Sequence, residues 1–266
     1  MTDVLTEFKA MQRKMWAHFA PLEALTTPPA ARLVRFAGIR TGMRVLDVAC
    51  GTGVVAVTAA RLGANVTALD LSPDLLARAR ENAALAAVQV DWHEGDAEAL
   101  PFGDEAFDAV VSQFGHMFAP RPEVVTGQML RVLRPGGTIA FSTWPPELFT
   151  ARIFALVGRS LPPPPPGVSP PPQWGDPRIV AERLGAAVSG LSFDRARMNA
   201  PALSPAHIRA AFERTSGPVI HLVQVLEKDD PAKLVAFRRD LDALVAEYLE
   251  DNVVRQDFLM SRAIKV

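Results

Sequence analysis

An almost unbroken apolar run, MRVLDVA from Met43 to Ala49, stops at a glycine turn, and this pairing narrows the folds open to the chain. A strand that is apolar on both faces must be covered on both, as in a parallel sheet flanked by helices. After Gly51-Thr52-Gly53 the segment VVAVTAARL reads as a helix closed by Gly63. The alternation then repeats. ANVTALD (Ala64 to Asp70) is a strand, and Ser72-Pro73 supplies an N-cap and first-turn proline for the helix DLLARARENAAL. VQVDWHEGD (Val88 to Asp96) gives a third strand and its exit, FDAVVSQF (Phe107 to Phe114) a fourth, and PEVVTGQMLRVL a helix. Arg134-Pro135-Gly136-Gly137 reads as a sharp turn before a fifth strand, TIAFSTW (Thr138 to Trp144). Strands and helices alternating at this spacing predict an α/β fold with a doubly wound parallel sheet.

On the N-terminal side, Phe8, Met11, Met15, Trp16 and Phe19 recur at helical spacing, which predicts an amphipathic helix ending near Pro21. A second helix is expected from about Pro29 to Ala37, with Gly38 placed to stop it. Beyond the core, LPPPPPGVSPPPQWGDP (Leu161 to Pro177) lacks the amide donors a helix or central strand needs, and reads as a stiff surface connector of polyproline type. GLSFDRARM reads as a sixth strand. Ser204-Pro205 and Asp230-Pro231 open two helices, and the closing FLMSRAIKV is strand-like.

Length and charge fit this picture. The 266 residues are 49% hydrophobic and carry a formal net charge of −1, so they can bury a large core and show no general affinity for nucleic acid or anionic membranes. Cys50, the single cysteine, excludes an internal disulfide and a cysteine-rich zinc site, and no metal site is expected. The first residues lack the apolar core of a signal peptide, and no run of about 18 apolar residues occurs. The expectation is a cytoplasmic protein without membrane insertion; the sequence does not fix its oligomeric state.

Chemistry concentrates at the glycine turn. Gly51-Thr52-Gly53-Val54-Val55-Ala56 fits the G-x-G-x-x-G/A fingerprint of nucleoside cofactors, and Asp70 ends the second strand where a carboxylate would accept from ribose hydroxyls. Asp47 lies four residues before Gly51, placed to accept turn amides or to approach a cationic ligand. Asp96 follows the third strand, positioned to accept from an adenine amino group. Each has a plainer reading as well: Asp47 as a brace for the turn, Asp70 as a neighbour of the Ser72 cap, and Asp96 as a turn residue.

Taken together, VLDVACGTG, VTALDLSPDLL, GDAEALPF, FDAVVSQFG and LRPGG resemble the class I S-adenosylmethionine-dependent methyltransferases, in particular the ubiquinone and menaquinone biosynthesis subgroup. The resemblance covers about Gly42 to Trp144. It implies a Rossmann-like, mostly parallel seven-stranded sheet completed by a reversed final strand, with an N-terminal helical lid over S-adenosyl-L-methionine. It further implies that Ala49, Gly51 and Gly53 form the cofactor turn, with Ala49 and Gly51 lining the methionine end and Asp47 supporting it. Asp70 would hold the ribose, Leu71 would pack on adenine, Asp96 and the Ala97 amide would read its edge, and Gln113 would sit near the transferred methyl. A single domain over 1–266 follows: a lid at 1–40, a cofactor-binding core at 41–144, a substrate-shaping segment at 145–217, and a C-terminal helix and closing strand at 218–266.

His116, directly after the fourth strand, is the one candidate base, with local packing as its plainer reading. The tetrapeptide Ser112-Gln113-Phe114-Gly115 differs from the pattern of enzymes that methylate exocyclic amines, and no Pro-Cys pair of cytosine carbon methylators occurs. These features point away from nucleic acid and towards a small-molecule acceptor, phenol- or quinol-like, attacking through oxygen, carbon or nitrogen. The apolar residues Phe8, Met11, Met15 and Trp16 are expected to face it. An NAD(P)-dependent oxidoreductase and a non-catalytic S-adenosylmethionine-binding protein are the competing readings.

Overall fold

A computed structural model describes residues 4–266. Ten α-helices and eight β-strands follow in chain order among the described residues. The parallel core comprises β1 (Arg44–Val48), α3 (Val54–Arg61), β2 (Asn65–Asp70), α4 (Pro73–Leu85), β3 (Asp91–Glu94), β4 (Phe107–Gln113), α5 (Pro122–Val132) and β5 (Leu133–Thr143). Before it lie α1 (Val4–Trp16) and α2 (Glu23–Phe36), joined by a 3-10 segment at Ala17–Leu22. After it come α6 (Phe149–Gly158), α7 (Pro177–Leu184), β6 (Val188–Pro201), α8 (Pro205–Thr215), α9 (Gly217–Asp229), α10 (Pro231–Ala246), β7 (Leu249–Glu250) and β8 (Val253–Lys265).

The strands form one sheet in the order β3-β2-β1-β4-β5-β8-β6, with β7 paired to β8 alone. The first five are mutually parallel, and β8 runs antiparallel between β5 and β6. The chain runs outward from β1 to β2 and β3 and then crosses back to β4 on the other side of β1, and this switch point places a crevice at the strand tips. Side-chain alternation divides the core between two faces. Leu46, Val48, Val110, Ile139 and Phe141 pack with α5 and α7, while Val45, Ala68, Ala109, Val111 and Ala140 pack with α2 and α3. A third cluster, without the parallel strands, joins α6, α8, α9 and α10 to Val254 of β8.

Three expectations need correcting, and a segment without a sequence assignment forms a helix. The helix expected from Pro29 starts at Glu23, with Pro28 and Pro29 inside it. Proline leaves the Ala24 and Leu25 carbonyls without their usual i+4 amide donors. Tertiary anchors hold the first turns instead: the Glu23 carboxylate takes Arg78 and Asn82 of α4. The residues LRPGG do not form a turn ahead of the fifth strand but belong to β5 as a bulge. Between the pairs Phe107↔Leu133 and Ala109↔Thr138, β4 advances two residues and β5 five, with Gly136 at φ +72° absorbing the excess. The apolar stretch after Gly217, left unassigned by the sequence, is α9.

The proline-rich segment departs furthest from a surface connector. Its second half coils as a 3-10 turn over Pro171–Gly175, and Trp174 is buried between the sheet and α7. The Thr143 hydroxyl donates to the Trp174 carbonyl at 2.8 Å, and the Arg183 guanidinium lies 4.4 Å from the indole. Gly175 is needed there, since a Cβ would fall 2.2 Å from the Trp144 carbonyl oxygen.

Candidate functional site

At the C-terminal tips of β1, β2 and β4 opens a cavity of about 210 Å³, covered by α1, the 3-10 segment after it, and α6. Ala49 stands at φ +54° and Phe114 at φ +58°, so both strand exits use left-handed backbone at non-glycine residues. They are forced together: a Cβ on Gly115 would lie 2.4 Å from the Ala49 carbonyl oxygen. The close approach of these two exits shapes the floor of the cavity.

The acids of the glycine turn serve both the loop and the cavity. Asp70 is buried; its two oxygens accept from the Gly51 amide at 2.7 Å and the Ser72 amide at 2.8 Å. Burial raises its pKa, against the pull of the Ser72 and Gly51 amides. Asp47 accepts from the Ala56 amide, in the first turn of α3, through Oδ2 at 3.0 Å, while Oδ1 is buried without a partner. Burial pushes this carboxyl up to about 8, opposed by the Ala56 amide and reinforced by the charge on Asp70. Asp96 takes the Glu98 amide at 2.9 Å and Lys9 Nζ at 2.6 Å.

Ala49, Gly51, Asp47, Asp70, Leu71, Asp96, Ala97 and Gln113 all line the cavity. Gly53 does not line it; it sits one step behind, at φ +78°, as the N-cap of α3. A Cβ at Gly53 would meet Trp92 at 2.6 Å, so the glycine serves packing of helix on sheet. Gln113 donates through Nε2 to the Thr26 carbonyl at 2.8 Å, and its Oε1 is buried with no partner.

The position of His116 does not suit a base. The ring adjoins the cavity but is fully buried between Phe141 and Trp174, each centroid 4.6 Å away, and neither ring nitrogen has a partner. Burial, and secondarily the charge of Arg183, pulls its pKa down to about 3. Cys50 is likewise enclosed, and burial together with the charges of Asp70 and Asp47 pushes its thiol well up, so it stays protonated.

The face that α1 turns to the cavity is also different from the expected one. Lys9, Gln12 and Trp16 line it, spaced i, i+3, i+7, whereas Met11 is exposed and Met15 packs against Gly217. From the C-terminal half come Thr150, Ile153, Phe154, Met198, Phe212 and Gln256, none singled out by sequence. Gln256 left a trace, being the polar member of the buried alternation Val254, Gln256, Phe258 on β8. No described group of His, Cys, Asp and Glu has the arrangement of a metal site.

A nucleoside cofactor with a pyrophosphate fits this chemistry poorly. The strand tips present acids and carbonyls, and the one lysine on the wall, Lys9, already bridges Asp96 and Glu98. A cationic ligand fits well, because the partnerless oxygens of Asp47 and Gln113 accept hydrogen bonds and favour positive charge.

Fold and site together define a class I S-adenosylmethionine-dependent methyltransferase. The chain belongs to this family, and S-adenosylmethionine is its cofactor. A methyltransferase domain matches residues 45–137. An uncharacterised protein of Mycobacterium tuberculosis is 37% identical over 257 residues, covering 95% of this chain and 93% of that protein. The ubiquinone/menaquinone biosynthesis C-methyltransferase of Roseobacter denitrificans is 40% identical over 136 residues, 46% of this chain and 54% of that enzyme. The crystal structure of a candidate methyltransferase from Bacillus halodurans shares the fold, with a TM-score of 0.59 at 22% identity over 89% of this chain and 98% of that one.

Proposed function

We propose that the protein methylates a small, largely apolar acceptor of phenol or quinol type, through its oxygen, carbon or nitrogen. The observation that carries this reading is the chemical division of one cavity: acids and a free amide oxygen at the strand tips, aromatic and aliphatic walls elsewhere. S-adenosylmethionine supplies a methyl group on a positively charged sulfur, which leaves as a neutral thioether.

At the strand tips, the backbone of Ala49 and Gly51 borders the methionine end, and Asp47 Oδ1 and Gln113 Oε1 face its positive charge. Asp70 keeps a lone pair on each oxygen for ribose hydroxyls, beyond the Gly51 and Ser72 amides. Leu71 packs on the adenine, with Asp96 and the Ala97 amide at its edge. No base is assigned, His116 being enclosed; the protein's contribution is to orient the acceptor and exclude water.

Calorimetric titration with S-adenosylmethionine and S-adenosylhomocysteine tests the first half of this reading, and transfer of a labelled methyl group to a panel of phenols and quinols tests the second. Product with at least one panel member is expected. Cofactor binding without product across the panel would overturn the acceptor class.

A further inference from the structure

Away from the glycine turn and its acids the cavity wall is aromatic, with Trp16, Phe19, Phe118, Trp144, Phe154 and Phe212 contributing rings. Trp16 and Phe118 lie 4.5 Å apart between centroids, and Phe154 meets Phe118 edge-on at 5.7 Å. Two buried glutamines interrupt this wall, Gln12 from α1 and Gln256 from β8, 8% and 5% exposed. Each has one end of its amide held by the protein. Gln12 Nε2 donates to the Phe118 carbonyl at 3.0 Å. Because a carbonyl only accepts, this bond fixes the amide's orientation and leaves Oε1 as an unused acceptor. Gln256 Oε1 accepts from the Thr150 hydroxyl at 3.4 Å, leaving Nε2 as an unused donor. Both residues line the cavity, so these free ends are open to a ligand that takes the place of water.

Charge is distributed just as unevenly. The carboxylates on the wall, Asp47, Asp70 and Asp96, all belong to the strand tips, and Lys9 is held in ion pairs there. From Trp144 onward no ionisable residue lines the cavity. A carboxylate, phosphate or ammonium group on the acceptor would be buried at this end without a counter-charge.

We infer that this end of the cavity binds an uncharged aromatic acceptor bearing a hydroxyl and a second oxygen, held by Gln12 and Gln256. The hydroxyl donates to Gln12 Oε1, the second oxygen accepts from Gln256 Nε2, and the ring system lies among the aromatic walls. This rests on the methyltransferase reading above and narrows its acceptor.

The test is calorimetric binding of three matched probes to the protein saturated with S-adenosylhomocysteine: 4-methoxy-1-naphthol, 4-methoxy-1-naphthoate and 1,4-dimethoxynaphthalene. The naphthol is expected to bind at least ten-fold more tightly than either the anion or the diether. Gln256→Met and Gln12→Met should each cut that preference several-fold with S-adenosylhomocysteine affinity unchanged, which also reports folding. Thr150→Val, which leaves Gln256 in place but unpinned, should reduce it less, and decides the matter if either methionine variant fails to fold. Equal binding of the naphthoate, or a preference untouched by these substitutions, overturns the inference while the methyltransferase reading stands. Failure of the wild type to bind S-adenosylhomocysteine would instead remove that reading, and this inference with it.

Discussion

Lys9 Nζ lies 2.6 Å from Asp96 Oδ2, so the first helix is tied to the acid expected at the adenine edge. The same ammonium reaches Glu98 at 2.6 Å, whose carboxylate is buried and also takes Arg121. Lys9→Met removes both bonds from α1 while leaving Glu98 its arginine. Part-buried charge-assisted bonds contribute about 1.5–3 kcal/mol each. Amide hydrogen exchange across α1 should therefore speed up by at least ten-fold, with β1 and β4 unaffected; unchanged α1 protection would show that its remaining contacts, among them Gln12 to the Phe118 carbonyl and Arg13 to Glu94, suffice to hold it.

Asp47 links cofactor binding to protons. With its pKa raised to about 8, the carboxyl is largely protonated at pH 7 in the free protein. A cation placed against Oδ1 lowers that pKa, so binding of S-adenosylmethionine at pH 7 should release up to one proton. Titrations in buffers of different ionisation enthalpy read this directly, and Asp47→Asn should abolish it. The sign for stability follows from linkage. A raised carboxyl pKa opposes folding increasingly as pH climbs from the unfolded value near 3.8 towards 8. Asp47→Asn should raise Tm at pH 8 and lose that advantage near pH 4.

Asp70→Ala should weaken S-adenosylhomocysteine binding by about 1.5–3 kcal/mol. Part of this loss runs through the loop, since the Gly51 amide loses its acceptor. Asp70→Asn, which keeps an oxygen for one of the two amides, should fall between wild type and alanine in calorimetry.

His116 carries a different pH dependence. Its folded pKa, pulled down to about 3 from 6.5, means the unfolded chain takes up the proton first. The contribution to stability is complete above pH 6.5 and is lost as pH falls towards 3. Thermal melts of His116→Leu should therefore decline less steeply than wild type between those values. Methyl transfer by the variant should keep the wild-type pH profile; an altered profile would restore the base role to this residue.

Gly115→Ala should damage the site from within the fold. The added Cβ would stand 2.4 Å from the Ala49 carbonyl oxygen, a backbone atom that moves only if the glycine loop moves. Overpacking of this kind costs about 1–3 kcal/mol. A lower Tm together with lost cofactor affinity is the expected pair of results.

The core from Gly42 to Trp144 was legible because strands apolar on both faces and capped helices leave local marks: Ser72, Pro73 and the run VLDVA are read without any knowledge of neighbours. The bulge at LRPGG was read as a turn because proline and glycine mark irregularity and not its kind; only the pairing with β4 shows that the chain continues in the same direction. α2 began too late because Pro28 and Pro29 outweigh helical preference locally, while Arg78 and Asn82, which steady its first turn, lie far along the chain. The acceptor side was hardest to see. Gln12 and Gln256 reach one cavity from α1 and β8, and no spacing within either segment encodes that they share it.

The two ends of the cavity are written in different parts of the chain. Residues 47–97 carry the acids and the glycine turn, whereas the neutral wall draws on α1 and on scattered positions from Trp144 to Gln256. A lineage of such proteins is thus free to retune its chemical diet by drift in the C-terminal half while the cofactor grip stays under a separate constraint.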